Sequence, residues 1–273
     1  MSSSNQPYES FQVWGDTDQT TAIFFKIGDG FEIRFPGVAD FVIDRAGRWT
    51  VRCSDPGDAV QRWRGVFEQH VQPLLVSLRG EQVFHGGATQ VGEEAIAFLG
   101  QSGRGKSTLT TAFAKRGYAF LSDDCLHLDY SRTRIYVHPH AAHVRLWEDS
   151  AAELGEGRSV YVEGSPKPRL EAAADLPHCN RLLPLSRLYL LGDADVDVPT
   201  ITPLSPSQAL IGLTANAFVL DIKNPEVLKR NLAAAARLVR EVSMRRLDYP
   251  RRYEMLPSVV DAVLADVASA VAG

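Results

Sequence analysis

The sequence predicts an α/β fold with a mixed α+β sheet, in which a core built around a strand, a glycine-rich turn and a helix follows an N-terminal β-rich region. Three observations predict it. Residues 8–54 hold short aromatic and β-branched runs broken by Gly, Asp and Pro. From residue 82 onward, apolar strand-like segments alternate with helix-like ones. Residues 95–116 read as strand, glycine-rich turn and helix. The expected division is 1–80, a β-rich region ending in a helix, and 81–273, the core with its C-terminal helices.

Taken in order, Met1–Pro7 is polar and reads as disordered. Phe11–Trp14, Ala22–Ile27, Phe31–Phe35, Phe41–Ile43 and Trp49–Cys53 have strand character, and Gly28-Asp29-Gly30 is a hairpin turn between two of them. Asp55–Asp58 starts a helix over about 58–79, with Val66, Val71, Leu74, Leu75 and Leu78 at helical spacing and a kink expected at Pro73. Strands are expected at Gln82–Phe84, Ala95–Leu99, Tyr118–Leu121, Leu126–Leu128, Arg134–Val137 and Leu188–Leu191. Helices are expected at 106–116, 206–213, 225–243 and 257–271. Asn224-Pro225 supplies a cap and a first-turn proline. The stretch 155–180, rich in Gly, Pro and charge, reads as a loop or mobile flap.

Composition narrows the partners. With 273 residues, 45% hydrophobic and 23% charged, the chain can bury a sizeable core. A net charge of -4 gives no global field toward nucleic acid or an anionic membrane. No apolar run approaches the ~18 residues of a membrane span, and no signal-peptide pattern opens the chain. Cys53, Cys125 and Cys179 are too far apart for a CxxC motif and odd in number, which fits reduced thiols in the cytoplasm. A homo-oligomer is left open.

Gly100-Gln-Ser-Gly-Arg-Gly-Lys106-Ser107 fits GxxxxGK[ST] at every fixed position, between a strand and a helix as that motif requires. Gly100, Gly103 and Gly105 let the backbone turn tightly, and the amides of Ser102, Arg104 and their neighbours can face an anion at a helix N-terminus. Lys106 offers a charge to the β and γ phosphates, and Ser107, followed by Thr108, a hydroxyl to Mg²⁺. ATP and Mg²⁺ are the cofactors this implies. One helix later come Asp123 and Asp124. A right-handed βαβ crossover would put both strand ends at one sheet edge and so bring the pair to the phosphates. Two acids beside a triphosphate require a cation, so one would hold magnesium and the other could take a proton from an attacking hydroxyl. An N-cap or turn role for the pair competes with this. No LSGGQ or NKxD signature is present, and no DxxG follows the loop.

His85-Gly86, Phe98–Thr108 and Arg116-Gly-Tyr-Ala-Phe-Leu-Ser-Asp-Asp124, in that spacing, resemble the HPr kinase/phosphorylase family, whose nucleotide fold is shared with phosphoenolpyruvate carboxykinase. The nearest likeness is to the small HPr-kinase-like proteins of gene clusters for ribosomally made peptides. In lasso peptide clusters these phosphorylate a serine at the precursor's C-terminus. His138-Pro, Val144-Arg-Leu-Trp147, Arg246–Pro250 and the β-rich N-terminal region look like that subgroup, and the likeness covers roughly residues 65–260. The segment with which HPr kinases grip their protein substrate and run the reverse reaction is not found, so the likeness does not extend to HPr itself. It implies His85 near the γ-phosphate, Asp123 as base and Asp124 on magnesium, with the two aspartate roles exchangeable. It also implies Arg145 on phosphate or substrate.

His138, His140 and His143 form an HxHxxH cluster, readable as a wall of the site, a solvated loop or, less well, a zinc site without a completing ligand. Lys167 and Arg169 in the flap could cover phosphates, grip an acidic peptide or belong to a solvated loop. The basic C-terminal run from Lys229 to Arg252 reads as a solvated helix face or a docking surface, and Trp14, Trp49, Trp63 and Trp147 as core. The expected activity is transfer of a γ-phosphoryl group to a serine of a peptide or small protein. A small-molecule kinase and a non-catalytic ATP sensor are the alternatives.

Overall fold

A computed structural model describes residues 10–16, 19–53, 59–155, 158–161 and 167–269. The expected disorder at Met1–Pro7, the helix start at Asp55–Asp58 and parts of the flap lie outside them. The described residues form two compact units, one up to Arg79 and the other from Gly80. No helix among them is long and apolar enough to cross a membrane.

The first unit is an antiparallel meander of β1 (Ser10–Asp16), β2 (Gln19–Ile27), β3 (Gly30–Phe35), β4 (Ala39–Ile43) and β5 (Trp49–Cys53), in that spatial order. Period-two alternation buries Ala22, Phe24, Ile33, Phe41 and Ile43. A helical stretch supplies Trp63 and Phe67, and Trp49 packs on Phe67 with ring centroids 4.3 Å apart. Trp14, Trp49 and Trp63 thus take packing roles. The helix runs as α1 (Ala59–Val66), a π-helical turn (Phe67–Val71) and α2 (Gln72–Leu78). Pro73 lacks the N–H that α-helical pairing would use, and the wider turn just before it absorbs the mismatch.

The second unit carries β6 (Gln82–Phe84), β7 (Gly86–Val91), β8 (Glu94–Leu99), α3 (Lys106–Lys115), β9 (Phe120–Ser122), β10 (Leu126–Asp129), β11 (Tyr136–Val137), β12 (His143–Arg145), α4 (Glu148–Leu154), β13 (Arg169–Glu171), β14 (Leu183–Leu191), β15 (Thr200–Pro203), α5 (Pro206–Asn216), α6 (Pro225–Glu241), β16 (Ser243–Asp248) and α7 (Leu256–Ser269). Its mixed sheet has the order β6-β10-β11-β14-β8-β7-β9, with β16 added parallel to β14 and β15 antiparallel to β16. β12 and β13 form a separate ladder.

β8 explains why the centre was legible. Ala95, Ala97 and Leu99 join the core that includes Leu213 of α5 and Leu238 of α6. Ile96 and Phe98 join the opposite core with Leu109 and Phe113 of α3 and Val259 and Val263 of α7. A strand covered on both faces reads as a continuous apolar run. The sequence expectations fail at β7, β12, β13, β15, β16 and α4, where no strand or helix was expected. Residues 169–179 are also no free flap: β13 pairs with β12, and Phe120 and Cys179 exchange backbone hydrogen bonds with Pro177 and Phe120 at 3.0 and 2.8 Å.

Candidate phosphate-binding cleft

β7 lies between β8 and β9 and runs antiparallel to each, so β8 and β9 point the same way although they do not touch. Their C-terminal ends therefore open at one sheet edge. The loop after Leu99 and the Asp pair after Ser122 both emerge there. Gly87 makes this packing feasible, because a Cβ at that position would lie 2.6 Å from the Thr110 hydroxyl of α3.

α3 begins at Lys106 behind Gly105, which has φ 87° and contributes no side-chain cap. The first-turn amides, unpaired within a helix by geometry, are left to whatever occupies the loop. Lys106 is buried, and its Nζ donates to Gly100 O at 2.7 Å and Gln101 O at 2.9 Å. Burial pulls its pKa down to about 8, against the attraction of Asp124.

Asp123, Asp124 and Cys125 form a γ-turn: Cys125 N donates to Asp123 O at 2.9 Å, and Asp124 has φ 63°. Among the described residues Asp124 is the one non-glycine residue with positive φ, and such strain persists where surrounding contacts enforce it. Arg145 supplies those contacts. Its N–H donates to Asp123 Oδ2 at 2.8 Å, and its guanidinium meets Asp124 at 3.2 Å. Both carboxylates are buried, but their environments push them apart. Burial and the neighbouring Asp124 charge raise the Asp123 pKa, opposed by hydrogen bonds from Arg145 N–H and the Ser107 hydroxyl. Burial would raise Asp124 too, yet Lys167, Arg145, His85 and Lys106 together hold it down.

His85 approaches from the start of β7. Its Nδ1 lies 3.2 Å from Asp124 O, and a carbonyl only accepts, so Nδ1 carries the proton and Nε2 the lone pair. Burial, then Lys106, lowers its pKa to about 4 and keeps the ring neutral.

One cleft is lined by Gly103, Gly105, Lys106, Ser107, Thr108, Asp124, Arg145 and Lys167 together. Lys167 lies over the Trp147 ring at 5.1 Å, and Trp147 is 45% exposed, which corrects its assignment to the core. Arg169 stands opposite Arg145 in the β12–β13 ladder, acts electrostatically on His143 and does not line the cleft. His138 is a second correction. Its N–H bonds His127 O at 3.0 Å, its ring stacks on His127 at 4.2 Å, and it lines a different groove with Glu81 and Arg230. His138, His140 and His143 do not converge: no group of three or more His, Cys, Asp or Glu among the described residues could hold a metal. A magnesium ion needs fewer protein ligands, keeping several waters. The cleft fits that demand: Asp123 Oδ1 is buried with no hydrogen-bond partner, with Asp124 and the Ser107 hydroxyl beside it.

The residues after β16 were missed as site residues. Tyr249 Oη donates to Arg104 O at 3.2 Å, Arg251 Nη1 donates to the same oxygen, and Arg251 Nη2 reaches Gly192 O at 2.7 Å. In a trans peptide the C=O and N–H point oppositely. Clamping Arg104 O therefore fixes the direction of Gly105 N–H as well, and Tyr249 and Arg251 themselves line the cleft. A Cβ on Gly105 would strike the Tyr249 hydroxyl, so the clamp also demands glycine there. Arg251→Ala is expected to weaken binding of inorganic tripolyphosphate about tenfold, the worth of one charge-assisted hydrogen bond. Cooperative thermal unfolding should be retained. Calorimetric titration checks it, and unaltered affinity would mean the clamp does not shape the loop.

No protein-family model and no curated protein matches the chain. Among solved structures, the Hpr(Ser) kinase/phosphatase from Coxiella burnetii is similar over 70% of this chain and 99% of that one, at 12% identity and a TM-score of 0.39.

Proposed function

We propose that the chain is an ATP- and Mg²⁺-dependent kinase that phosphorylates a serine hydroxyl of a peptide or small protein. The observation that carries this reading is one cleft shared by Lys106, Ser107 and Asp124, with the buried Asp123 carboxylate hydrogen-bonded to Ser107. In the proposed step the serine oxygen bonds to the terminal phosphorus, the bond to the leaving diphosphate breaks, and the hydroxyl proton passes to Asp123. Lys106 and the loop amides stabilise charge on the phosphoryl oxygens. Ser107 and Asp124 would hold magnesium, which when bound supplies further charge neutralisation. Arg145 orients both carboxylates, and Lys167 adds positive charge at the cleft wall. The peptide acceptor, and more narrowly a lasso-type precursor ending in serine, rests on the motif resemblance at His85-Gly86, the loop and the Asp pair.

The test is transfer of label from γ-labelled ATP to a serine-ended peptide, with and without Mg²⁺. Label on serine, dependent on the metal, is expected. ATP binding without ADP formation, whatever peptide, protein or small-molecule acceptor is offered, would replace the kinase by an ATP sensor. ADP formation with small molecules alone would replace the acceptor class.

A further inference from the structure

The cleft has a second wall, formed where α4 and the turn after Arg252 meet the first turn of α3. Asp149, Ser150, Tyr253 and Leu256 line it, together with Thr108. Successive helical residues point about 100° apart. Ser107 therefore serves the aspartate side, and Thr108 serves this one. Thr108 Oγ1 lies 3.2 Å from Ser150 Oγ, Ser150 Oγ lies 2.9 Å from Tyr253 Oη, and Tyr253 Oη donates to Asp149 Oδ2 at 2.8 Å.

Each hydroxyl has one proton, so the direction of this chain is fixed. The carboxylate can only accept, which commits the Tyr253 proton to Asp149. Ser150 must then donate to Tyr253, and Thr108 to Ser150. Every hydroxyl proton in the row is used internally. What the row offers a ligand is acceptor capacity, concentrated on the Asp149 carboxylate beside the Tyr253 ring and Leu256. The hydroxyl row itself has no proton left for a phosphate and suits hydroxyl donors next to an apolar plate, while Arg251 and Arg252 supply the cations that line the same cleft.

We infer that this wall is the nucleoside subsite: Asp149 accepts hydrogen bonds from the ribose hydroxyls, and Tyr253 and Leu256 flank the sugar or base. The inference rests on the kinase reading, which puts the phosphates at the loop. It adds that the nucleotide leaves the loop along Thr108, so the acceptor serine enters from the Asp123 side. Tyr253 and Ser150 are positioning residues that hold the carboxylate in place.

The experiment measures Kd for ATP, 2′-deoxy-ATP and inorganic tripolyphosphate, with Mg²⁺, in the wild-type protein, Asp149→Ala and Tyr253→Phe. Thermal unfolding serves as the folding control. Asp149→Ala is expected to bind ATP about tenfold more weakly. It should lose the preference for ATP over 2′-deoxy-ATP and bind tripolyphosphate as the wild type does. Tyr253→Phe, which keeps the ring, should weaken ATP several-fold in the same direction. Equal weakening of ATP and tripolyphosphate would overturn the subsite, as would unchanged ATP affinity with a raised KM for the peptide acceptor. Failure of the wild-type protein to bind tripolyphosphate at all would instead remove the loop reading, and the subsite with it.

Discussion

Replacing Lys106 by Met is expected to lower kcat/KM for phosphoryl transfer by about 10³, roughly 4 kcal/mol of transition-state stabilisation. The ammonium is held on the loop by Gly100 O and Gln101 O at 2.7 and 2.9 Å, which points its charge at the turn without any search among rotamers. Methionine keeps the buried stem and removes the charge together with its two donations to the loop carbonyls, so a loss of this size would report the ammonium group. Stability should not limit the variant. Burial lowers the lysine pKa from 10.5 to about 8, so the folded state disfavours the charged form. That penalty is fully present below about pH 8 and absent above 10.5. Removing the charge at neutral pH relieves it. Arginine should not rescue, because its planar fork cannot share the compact seat of the ammonium between two carbonyls. Steady-state rates with γ-labelled ATP check the prediction, and activity within tenfold of wild type would remove Lys106 from the chemistry.

What the sequence made legible follows from how strongly local pattern and tertiary need agree. β8 and α3 were readable because one strand is buried on both faces and one helix starts at a motif whose glycines have a stated task. α6 declared itself through Asn224, which caps as its residue type suggests. β7 was hidden because Gly86 and Gly87 are poor strand formers, kept for close approach of α3 and β8 rather than for propensity. β16 was hidden for another reason: Arg245 and Arg246 look solvent-bound in sequence. In the fold Arg246 meets Asp248 at 2.6 Å and Arg245 approaches Asp266 at 3.8 Å, which lets two cations occupy a strand paired on both edges. The same masking concealed the Tyr249–Arg251 clamp inside what read as a basic face. His138 failed in the opposite sense. Its place in the HxHxxH cluster suggested a wall of the site, but the pairing that holds His127 and His138 side by side turns the imidazole toward another groove. Where a residue's partner lies more than a hundred positions away, as with Arg104 and Arg251, no local pattern carries it.

Asp123→Asn should separate the two roles of that carboxylate in one variant. As a proton acceptor Asp123 gives a factor of about 10²–10⁴, so kcat should fall by that much while ATP affinity changes little. Stability should move the other way. Burial and the Asp124 charge lift the Asp123 pKa above its ordinary 3.8. For an acid so shifted, the stabilising contribution is complete below the unfolded pKa and is lost as pH rises through the folded one. At pH 8 the ionised side chain is therefore a liability. The amide, which can still accept from Arg145 N–H, is expected to melt higher than wild type. Near pH 3 the two should melt alike. The same shift sets the acid limb of the wild-type kcat/KM profile above the usual carboxylate range, and Lys106 sets a basic limb near 8. Magnesium should raise the melting temperature of wild type more than that of Asp123→Asn if the partnerless Oδ1 faces the cation. Equal magnesium shifts would confine the metal to Asp124 and Ser107. Unchanged turnover in Asp123→Asn would move the base to Asp124, the exchanged assignment, or to the neutral His85, whose Nε2 carries a lone pair.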